Sequence, residues 1–291
     1  MRAAKFYKKS GANVKCQLCR HFCLIAPAKF GLCGMRKNID GRLYSLNYGK
    51  IIASQIDPIE KKPLYHFLPG SFAYSLACPG CNFKCLNCQN SDLSQITPAL
   101  QKAVDSLPET RPEEIVEAAW ENNCPSIAYT YTEPTIFAEF ALDCMELARD
   151  SNLKNIWVSN GYLSPGCLEA ISPYLDAINI DLKFFSDKNY QKICGARLKP
   201  VLDNLVAFKT AKIHLEITTL IIPSLNDSDE ELTALAEFIY QKLGDDTPWH
   251  LGAFHPAYKL KNLPATPTET IKRAQAIGKN IGLKYVYPGN V

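Results

Sequence analysis

From about residue 72 onward, short runs rich in β-branched and aromatic residues alternate with longer runs of helical spacing, and this constrains the fold most. About six strand-helix pairs follow one another before a last strand-like run. The strand-like runs are SFAYSLA, SIAYTY, IWVSN, AINIDL, LEITTLII, WHLGAF and KYVYP. Alternating units of this kind predict an α/β fold with a parallel sheet, open or closed, that binds ligands at the carboxyl ends of its strands.

The composition excludes several classes of protein. A chain of 291 residues that is 47% hydrophobic can bury a large core without cross-links. The N-terminal sequence MRAAKFYKKS lacks the apolar stretch of a secretory signal, and no later run approaches the roughly 18 apolar residues that span a bilayer. We therefore expect a cytoplasmic protein without a membrane segment. The net charge of +3 is scattered along the chain, so no nucleic-acid partner is predicted.

Eight of the twelve cysteines lie between residues 16 and 88. In a reducing compartment, clustered cysteines are typical of metal or redox sites rather than of disulfides. The densest run, CPGCNFKCLNCQN, contains Cys81, Cys85 and Cys88 with the spacing C-x3-C-x2-C. Three thiolates can hold three irons of a 4Fe-4S cluster and leave the fourth iron open to a small molecule. Cys78 could instead complete a closed four-cysteine cluster or zinc site.

This cysteine spacing, placed after the first strand of a βα series, resembles the radical S-adenosylmethionine (SAM) superfamily. Further stretches are similar to the branch related to pyruvate formate-lyase activating enzymes. They are IDPIEKKPLYHFLPG, YTYTEPTI, VSNGY, INIDLKFF, LEITTLIIPSLND and the N-terminal CQLCRHFC and GLCGMR. Within that branch, the likeness is closest to the AmmeMemoRadiSam system radical SAM enzymes.

The resemblance implies a fold and an activity. The fold is a partial (β/α)6 TIM-like barrel over residues 67–291, preceded by a cysteine-rich extension over residues 1–66. The activity is the reductive cleavage of SAM at a 4Fe-4S cluster, giving a 5'-deoxyadenosyl radical that abstracts hydrogen from an unidentified substrate. Two alternatives are an activating enzyme for a glycyl radical enzyme and, from a different class, a non-catalytic iron-sulfur electron carrier.

The resemblance also implies partners. An electron donor such as ferredoxin or flavodoxin would reduce the cluster. The substrate could be a small molecule or another protein. The name of the subgroup further suggests an association with Memo-type or AMMECR-type proteins.

Motifs at the ends of successive strands supply candidate SAM contacts. By resemblance, Glu133 contacts the SAM amino group, Ser159 and Asn160 contact ribose hydroxyls, and Asp181 and Lys183 lie near SAM or the substrate. The structural alternatives are a helix start at Glu133, a turn at Asn160 and a surface ion pair between Asp181 and Lys183.

Glu216 is a further candidate. It faces the inside of its strand if Leu215 faces the outer helices. Because a buried acid is costly unless it is paired, we expect Glu216 to contact SAM or the substrate. His250, His255 and Tyr258 follow in the region that binds substrate in relatives, although a single histidine there is more often structural.

Asn87 departs from the family pattern, in which an aromatic or other apolar residue usually precedes the third cysteine and packs near adenine. In this chain Phe83 or Tyr131 would have to supply that packing.

A second group of cysteines lies in the extension and has the spacing C-x2-C-x3-C-x9-C. Its members are Cys16, Cys19, Cys23 and Cys33. Four thiols can bind zinc or a second 4Fe-4S cluster, and spacing does not choose between them. A structural site that staples the extension is favoured over an electron-transfer site, and free structural cysteines are a third alternative. The remaining cysteines are expected to be buried small apolar residues. They are Cys124, Cys144, Cys167 and Cys194.

Overall fold

The computed structural model describes residues 1–290. The strands are β1 (Arg2–Ala3), β2 (Tyr7–Ser10), β3 (Asn13–Cys16), β4 (Leu24–Ile25), β5 (Arg36–Ile39), β6 (Arg42–Ser45), β7 (Ala53–Pro58), β8 (Phe72–Ala77), β9 (Ser126–Tyr129), β10 (Lys154–Ser159), β11 (Ala177–Asp181), β12 (His214–Ile221), β13 (Trp249–Ala253) and β14 (Val286–Gly289). The α-helices are α1 (Ser91–Ser94), α2 (Pro98–Ser106), α3 (Pro112–Glu121), α4 (Ala138–Asp150), α5 (Pro165–Ile171), α6 (Asp187–Asn189), α7 (Leu198–Thr210), α8 (Asp229–Phe238) and α9 (Thr268–Ile281).

One eight-stranded sheet, in the order β14-β13-β12-β11-β10-β9-β8-β7, forms the centre of the molecule. Strands β8 to β14 are parallel to one another, and β7 runs antiparallel to β8 at one edge. Six strands, β8 to β13, are each followed by at least one helix. Within residues 1–290, the edge strands β7 and β14 do not pair with each other, so the barrel stays open. This confirms the predicted α/β fold with a partial (β/α)6 barrel.

The two faces of the sheet carry different residues. Large apolar side chains such as Trp157, Ile178, Ile217 and Trp249 are fully buried in the main core. The interior carries polar positions as well, including the fully buried Glu216. Because strands alternate their side chains between two faces, the same short segments build both the core and a polar barrel interior.

The loop between β7 and β8 closes the amino end of the barrel. Ile59 and Leu64 from this loop pack against Ala128, Ile156 and Ala177, and the latter two lie in the first half of their strands. Nδ2 of Asn179 also donates to the carbonyl of Pro63 over 2.8 Å. The barrel interior is therefore accessible from the carboxyl ends of the strands.

The extension forms two small sheets, β1-β6-β5 and β2-β3-β4. It docks on the loop after β10, where the N–H of Arg20 donates to the carbonyl of Tyr162 over 3.0 Å. A buried ion pair between Arg36 and Glu139 joins it to α4. Because β7 belongs to the central sheet, the extension ends before Ala53 and the predicted boundary at residue 66 lies too far along the chain.

All twelve cysteines, each within the part of the chain that is described, are free thiols. Among the helices of residues 1–290, none has the length and apolar character needed to cross a membrane.

Candidate active site

A cavity of about 370 Å³ lies where the carboxyl ends of the strands meet. The loop after β8, the ends of β9, β10 and β11, and the second half of β12 all contribute to its wall. It brings together eight of the residues predicted from the sequence: Cys81, Cys85, Cys88, Glu133, Ser159, Asn160, Asp181 and Lys183. Parallel strands produce this convergence because all of their carboxyl ends meet at one edge of the sheet.

The three-cysteine loop is held by backbone and sulfur contacts. The N–H groups of Lys84 and Leu86 donate to the carbonyls of Cys194 and Ile193 over 2.8 and 3.0 Å. The N–H of Phe83 points at Sγ of Cys81 over 3.3 Å. Burial raises the pKa of the Cys81 and Cys88 thiols. Metal binding at this loop would therefore release protons from these thiols.

Cys194 is a residue of this site that the sequence analysis missed. The neighbouring Cys194 side chain lowers the pKa of Cys85, and the Cys85 side chain together with burial raises the pKa of Cys194. The two cysteines lie far apart in the chain, and no local motif marks Cys194.

The side chain of Cys78 lies away from the cavity. Cys78 is fully buried, and it does not belong to the described residues that line the cavity. The Cys78 side chain instead contributes to the raised pKa of Cys144, after the dominant effect of burial. Its carbonyl accepts a hydrogen bond from Oγ1 of Thr132 over 2.6 Å. Three thiols of this segment, not four, therefore share the cavity.

Glu133 links two strand ends. Its Oε1 accepts from the N–H and Oγ1 of Thr135 over 3.0 and 2.6 Å and from Oγ of Ser159 over 2.8 Å. Its Oε2 accepts from the N–H of Asn160 over 2.8 Å. Burial raises the pKa of Glu133, and these four donors oppose that rise. Glu133 thus starts the short helix after β9, which was the structural alternative, and also lines the cavity.

Ser159 and Asn160 are engaged by the protein's own groups. Oγ of Ser159 accepts from the N–H of Gly161 over 3.1 Å. Nδ2 of Asn160 donates to Oδ1 of Asn82 over 2.7 Å and lies 3.7 Å from Sγ of Cys81. These contacts fix the end of β10 beside the cysteine loop.

Asp181 and Lys183 form an ion pair inside the cavity wall. Nζ of Lys183 lies 2.9 Å from Oδ2 of Asp181. Burial alone would lower the pKa of Lys183, but the charges of Asp181, Cys85 and Cys194 raise it instead. The side chains of Lys183 and Asp181 are 24% and 36% exposed, so this is a partly exposed ion pair that places a cation in the cavity wall.

Asn87 and Tyr131 line the same cavity. Among the described residues, Oδ1 of Asn87 has no hydrogen-bond partner although it is buried. Tyr131 has a left-handed backbone (φ 61°), and its hydroxyl donates to Asp57. Phe83 is only 1% exposed and packs edge-on against Tyr162 and Tyr190. An orphaned acceptor and a constrained tyrosine in one wall are features expected of a ligand site.

Glu216 lies elsewhere, and its predicted role as a SAM or substrate contact does not fit its position. Its side chain faces the barrel interior, as predicted, but at the amino end of the barrel. Four donors occupy the two carboxylate oxygens: the N–H groups of Tyr65 and His66 and the Nε2 atoms of His214 and His250. Burial would raise the pKa of Glu216, but these hydrogen bonds lower it to about 2. Glu216 therefore anchors the loop that closes the amino end.

His250 also lies away from the cavity, because its Nε2 is 2.6 Å from Oε2 of Glu216. It is a structural histidine rather than a cavity residue. His255 and Tyr258 lie in the loop after β13, and neither is among the described residues that line the cavity.

The four cysteines of the second group also lie close together in the structure. Its four thiols line one small cavity together with His21, Arg36 and Asn82. Burial raises the pKa of Cys16 to about 11 and also raises that of Cys19 and Cys33. Within residues 1–290, no three His, Cys, Asp or Glu side chains are arranged to hold a single metal ion as they stand.

Comparison with known proteins identifies the family. The model of the radical SAM superfamily matches residues 76–239. An uncharacterized protein of Methanocaldococcus jannaschii is 46% identical over 294 residues, which cover 100% of this chain and 86% of that protein. The chain belongs to the radical SAM superfamily. The resemblance predicted from the cysteine spacing is thereby confirmed.

Further relatives of this radical SAM protein indicate its branch. The pyruvate formate-lyase-activating enzyme of Clostridium pasteurianum is 23% identical over 212 residues, which cover 69% of this chain and 88% of that enzyme. A solved radical SAM methyltransferase from Sphaerobacter thermophilus has a TM-score of 0.56 at 15% identity and covers 76% of this chain and 67% of its own. The protein lies in the branch related to pyruvate formate-lyase activating enzymes, and the structural likeness shows the shared fold.

Membership of the radical SAM superfamily implies a 4Fe-4S cluster and SAM. The cavity fits both groups. Its lining includes three cysteines, a cation, an orphaned amide oxygen and a tyrosine.

Proposed function

We propose that this protein binds a 4Fe-4S cluster through Cys81, Cys85 and Cys88, binds SAM in the adjoining cavity, and cleaves it reductively. One observation carries the proposal: three thiols and the ends of successive strands line a single cavity while Cys78 lies away from it. The open iron expected of a three-cysteine cluster would then face groups suited to a charged nucleoside.

Some of the cavity residues suit direct contact with SAM, and others hold those residues in place. The ammonium of Lys183 suits the SAM carboxylate, and Oδ1 of Asn87 suits an N–H donor of the ligand. Glu133 holds Ser159 and Asn160 in place, so ribose contacts from these two would use the oxygen lone pairs that their internal bonds leave free. Asp181 keeps Lys183 oriented.

When bound, the cluster supplies one electron that splits SAM into methionine and a 5'-deoxyadenosyl radical, which then takes hydrogen from a substrate. A ferredoxin or flavodoxin would deliver the electron. Relatives of this chain are named activating enzymes for pyruvate formate-lyase and for (2S)-3-sulfopropanediol dehydratase. A protein substrate, with activation of a glycyl radical enzyme as one form of it, is therefore included in the proposal. A cytoplasmic location and partners of the Memo or AMMECR type stay predictions.

Anaerobic incubation of the reconstituted protein with dithionite and SAM tests this function, and 5'-deoxyadenosine is the expected product. A reduced iron-sulfur protein that leaves SAM intact would instead support the electron-carrier alternative. Deuterated candidate substrates then identify the substrate, because the abstracted label appears in 5'-deoxyadenosine.

A further inference from the structure

One residue forms the wall between the two cysteine groups. Asn82 follows Cys81 in the three-cysteine loop and also lines the cavity of the four N-terminal cysteines. The imidazole of His21 contacts the carbonyl of Asn82 over 2.9 Å from the N-terminal side. On the other side, Oδ1 of Asn82 accepts from Asn160. The two groups are thus neighbours, although Cys33 and Cys81 lie far apart in the chain.

The backbones of the two loops are also in close contact. A Cβ atom added at Gly80 would lie 3.2 Å from the carbonyl oxygen of Cys33 and 2.8 Å from Cγ of Met35. Gly80 has a φ of 99°, which favours glycine. A shift of the N-terminal loop would therefore be transmitted directly to the loop that carries Cys81.

Two buried donors at this N-terminal cavity have no acceptor. They are Nε of Arg36 and Nδ2 of Asn82, and neither has a hydrogen-bond partner among the described residues. Their side chains are 1% and 2% exposed. A buried donor without an acceptor destabilises the folded protein, so both nitrogens point to a ligand rich in acceptors. Metal-bound thiolates are acceptors of this kind, because hydrogen bonds to sulfur are a usual feature of such centres.

The four N-terminal thiols lie around a small void. The thiols surround a void of only about 10 Å³ but are not arranged around a single ion as they stand. Leu24, Phe30 and Leu32, which lie near Cys23 and Cys33 in the chain, are 47–62% exposed, so this side of the cavity faces solvent. A metal ion that replaces the thiol protons would draw the four thiolates toward itself.

We propose that Cys16, Cys19, Cys23 and Cys33 form a thiolate-ligated metal centre that positions the SAM cavity through Asn82. Nδ2 of Asn82 donates to a metal-bound thiolate, while Oδ1 holds Asn160 against Cys81. Asn82 is a positioning residue, since it acts through Asn160 and the cysteine loop. Zinc and an iron-sulfur cluster share this thiolate chemistry, and metal analysis distinguishes them. The proposal rests on the proposed function only in assuming that SAM binds beside Cys81.

The contents of iron, zinc and sulfide are measured on the full chain purified anaerobically. We expect either about one zinc or about four irons beyond the roughly four irons of the first cluster. Cys19→Ser should lose the extra metal alone. About four irons per chain without zinc in the wild type, or an unchanged metal content in Cys19→Ser, would overturn the proposal.

A second variant does not depend on the folding of Cys19→Ser. Asn82→Asp keeps the shape and one acceptor oxygen but removes the Nδ2 donor. It should weaken SAM binding about tenfold and alter the paramagnetic resonance spectrum of the reduced first cluster. The exposed Asn122→Asp is the control and should match the wild type. An Asn82→Asp protein with normal SAM affinity and an unchanged spectrum would refute the positioning role. Wild-type protein in which SAM leaves the spectrum unaltered would instead contradict the proposed function itself.

Discussion

Oε2 of Glu133 accepts a hydrogen bond from the backbone N–H of Asn160 and so ties the end of β9 to the end of β10. In Glu133→Ala, four buried donors would lose their acceptor. We expect the free energy of unfolding at pH 7 to fall by about 2–4 kcal/mol, together with weaker SAM binding. Urea denaturation and equilibrium binding measure the two effects. Glu237→Ala, on the exposed face of α8, is the matched control and should change stability by less than about 0.5 kcal/mol. A similar loss of stability in both variants would show that Glu133 does not stabilise the link between β9 and β10.

Alanine substitutions of Cys85 and Cys78 should affect SAM cleavage differently. Cys85→Ala removes a cluster ligand and should abolish SAM cleavage. Cys78→Ala removes a buried thiol that faces away from the cavity, so most activity should remain and the cost is limited to a small cavity of about 1 kcal/mol. Product formation by both variants, after identical reconstitution, is the measurement. Equal loss of activity would mean that Cys78 is also a ligand.

Asn87→Leu should have effects of opposite sign on folding and on binding. Leucine removes a buried carbonyl oxygen that lacks a partner in the ligand-free protein, so the unfolding free energy should rise by about 1 kcal/mol. The same change removes an acceptor for SAM, whose dissociation constant should increase about tenfold. Thermal denaturation without ligand and titration with SAM test the two parts. A variant that binds SAM normally would show that Asn87 does not face the nucleoside.

Glu216 should stabilise the protein in a pH-dependent way. Its folded pKa of about 2 lies below the ordinary value of 4.5. The stabilisation is therefore complete above about pH 4.5 and is lost as the pH falls toward 2, with a full size of about 3 kcal/mol. The unfolding free energies of wild type and Glu216→Gln should differ by this amount at pH 7 and converge in acid, as urea titrations from pH 7 to 3 can show.

The same variant tests the position of Glu216. Since His214, His250 and the loop at the amino end hold this carboxylate, the dissociation constant of SAM should stay within about twofold of the wild type. A large loss of SAM affinity, or a stability difference that persists undiminished at pH 3, would contradict this assignment.

The sequence predicted those features that local patterns determine. The strand-helix periodicity defined the barrel, and the spacing of Cys81, Cys85 and Cys88 indicated the family. Residues at the ends of consecutive strands, such as Glu133 and Asn160, were also assigned to the correct edge of the sheet.

Other features depend on contacts between distant segments. Alternation predicted that Glu216 points inward, but it could not say that Tyr65 and His66 would cover that end of the barrel. The pairing of Cys194 with Cys85 has no local signature. Residues 53–58 read as part of the extension, because only their pairing with β8 makes them an edge strand of the barrel.

Hyperfine spectroscopy shows whether SAM binds the iron that the protein leaves free. Reduced protein is mixed with SAM labelled with ¹⁵N in its amino group and ¹³C in its carboxylate, and the hyperfine couplings of the cluster are recorded by electron-nuclear double resonance. We expect couplings to both labels in the wild type and in Cys78→Ala. A spectrum that SAM does not change, with neither coupling present, would contradict the binding of SAM at an iron that the protein leaves free.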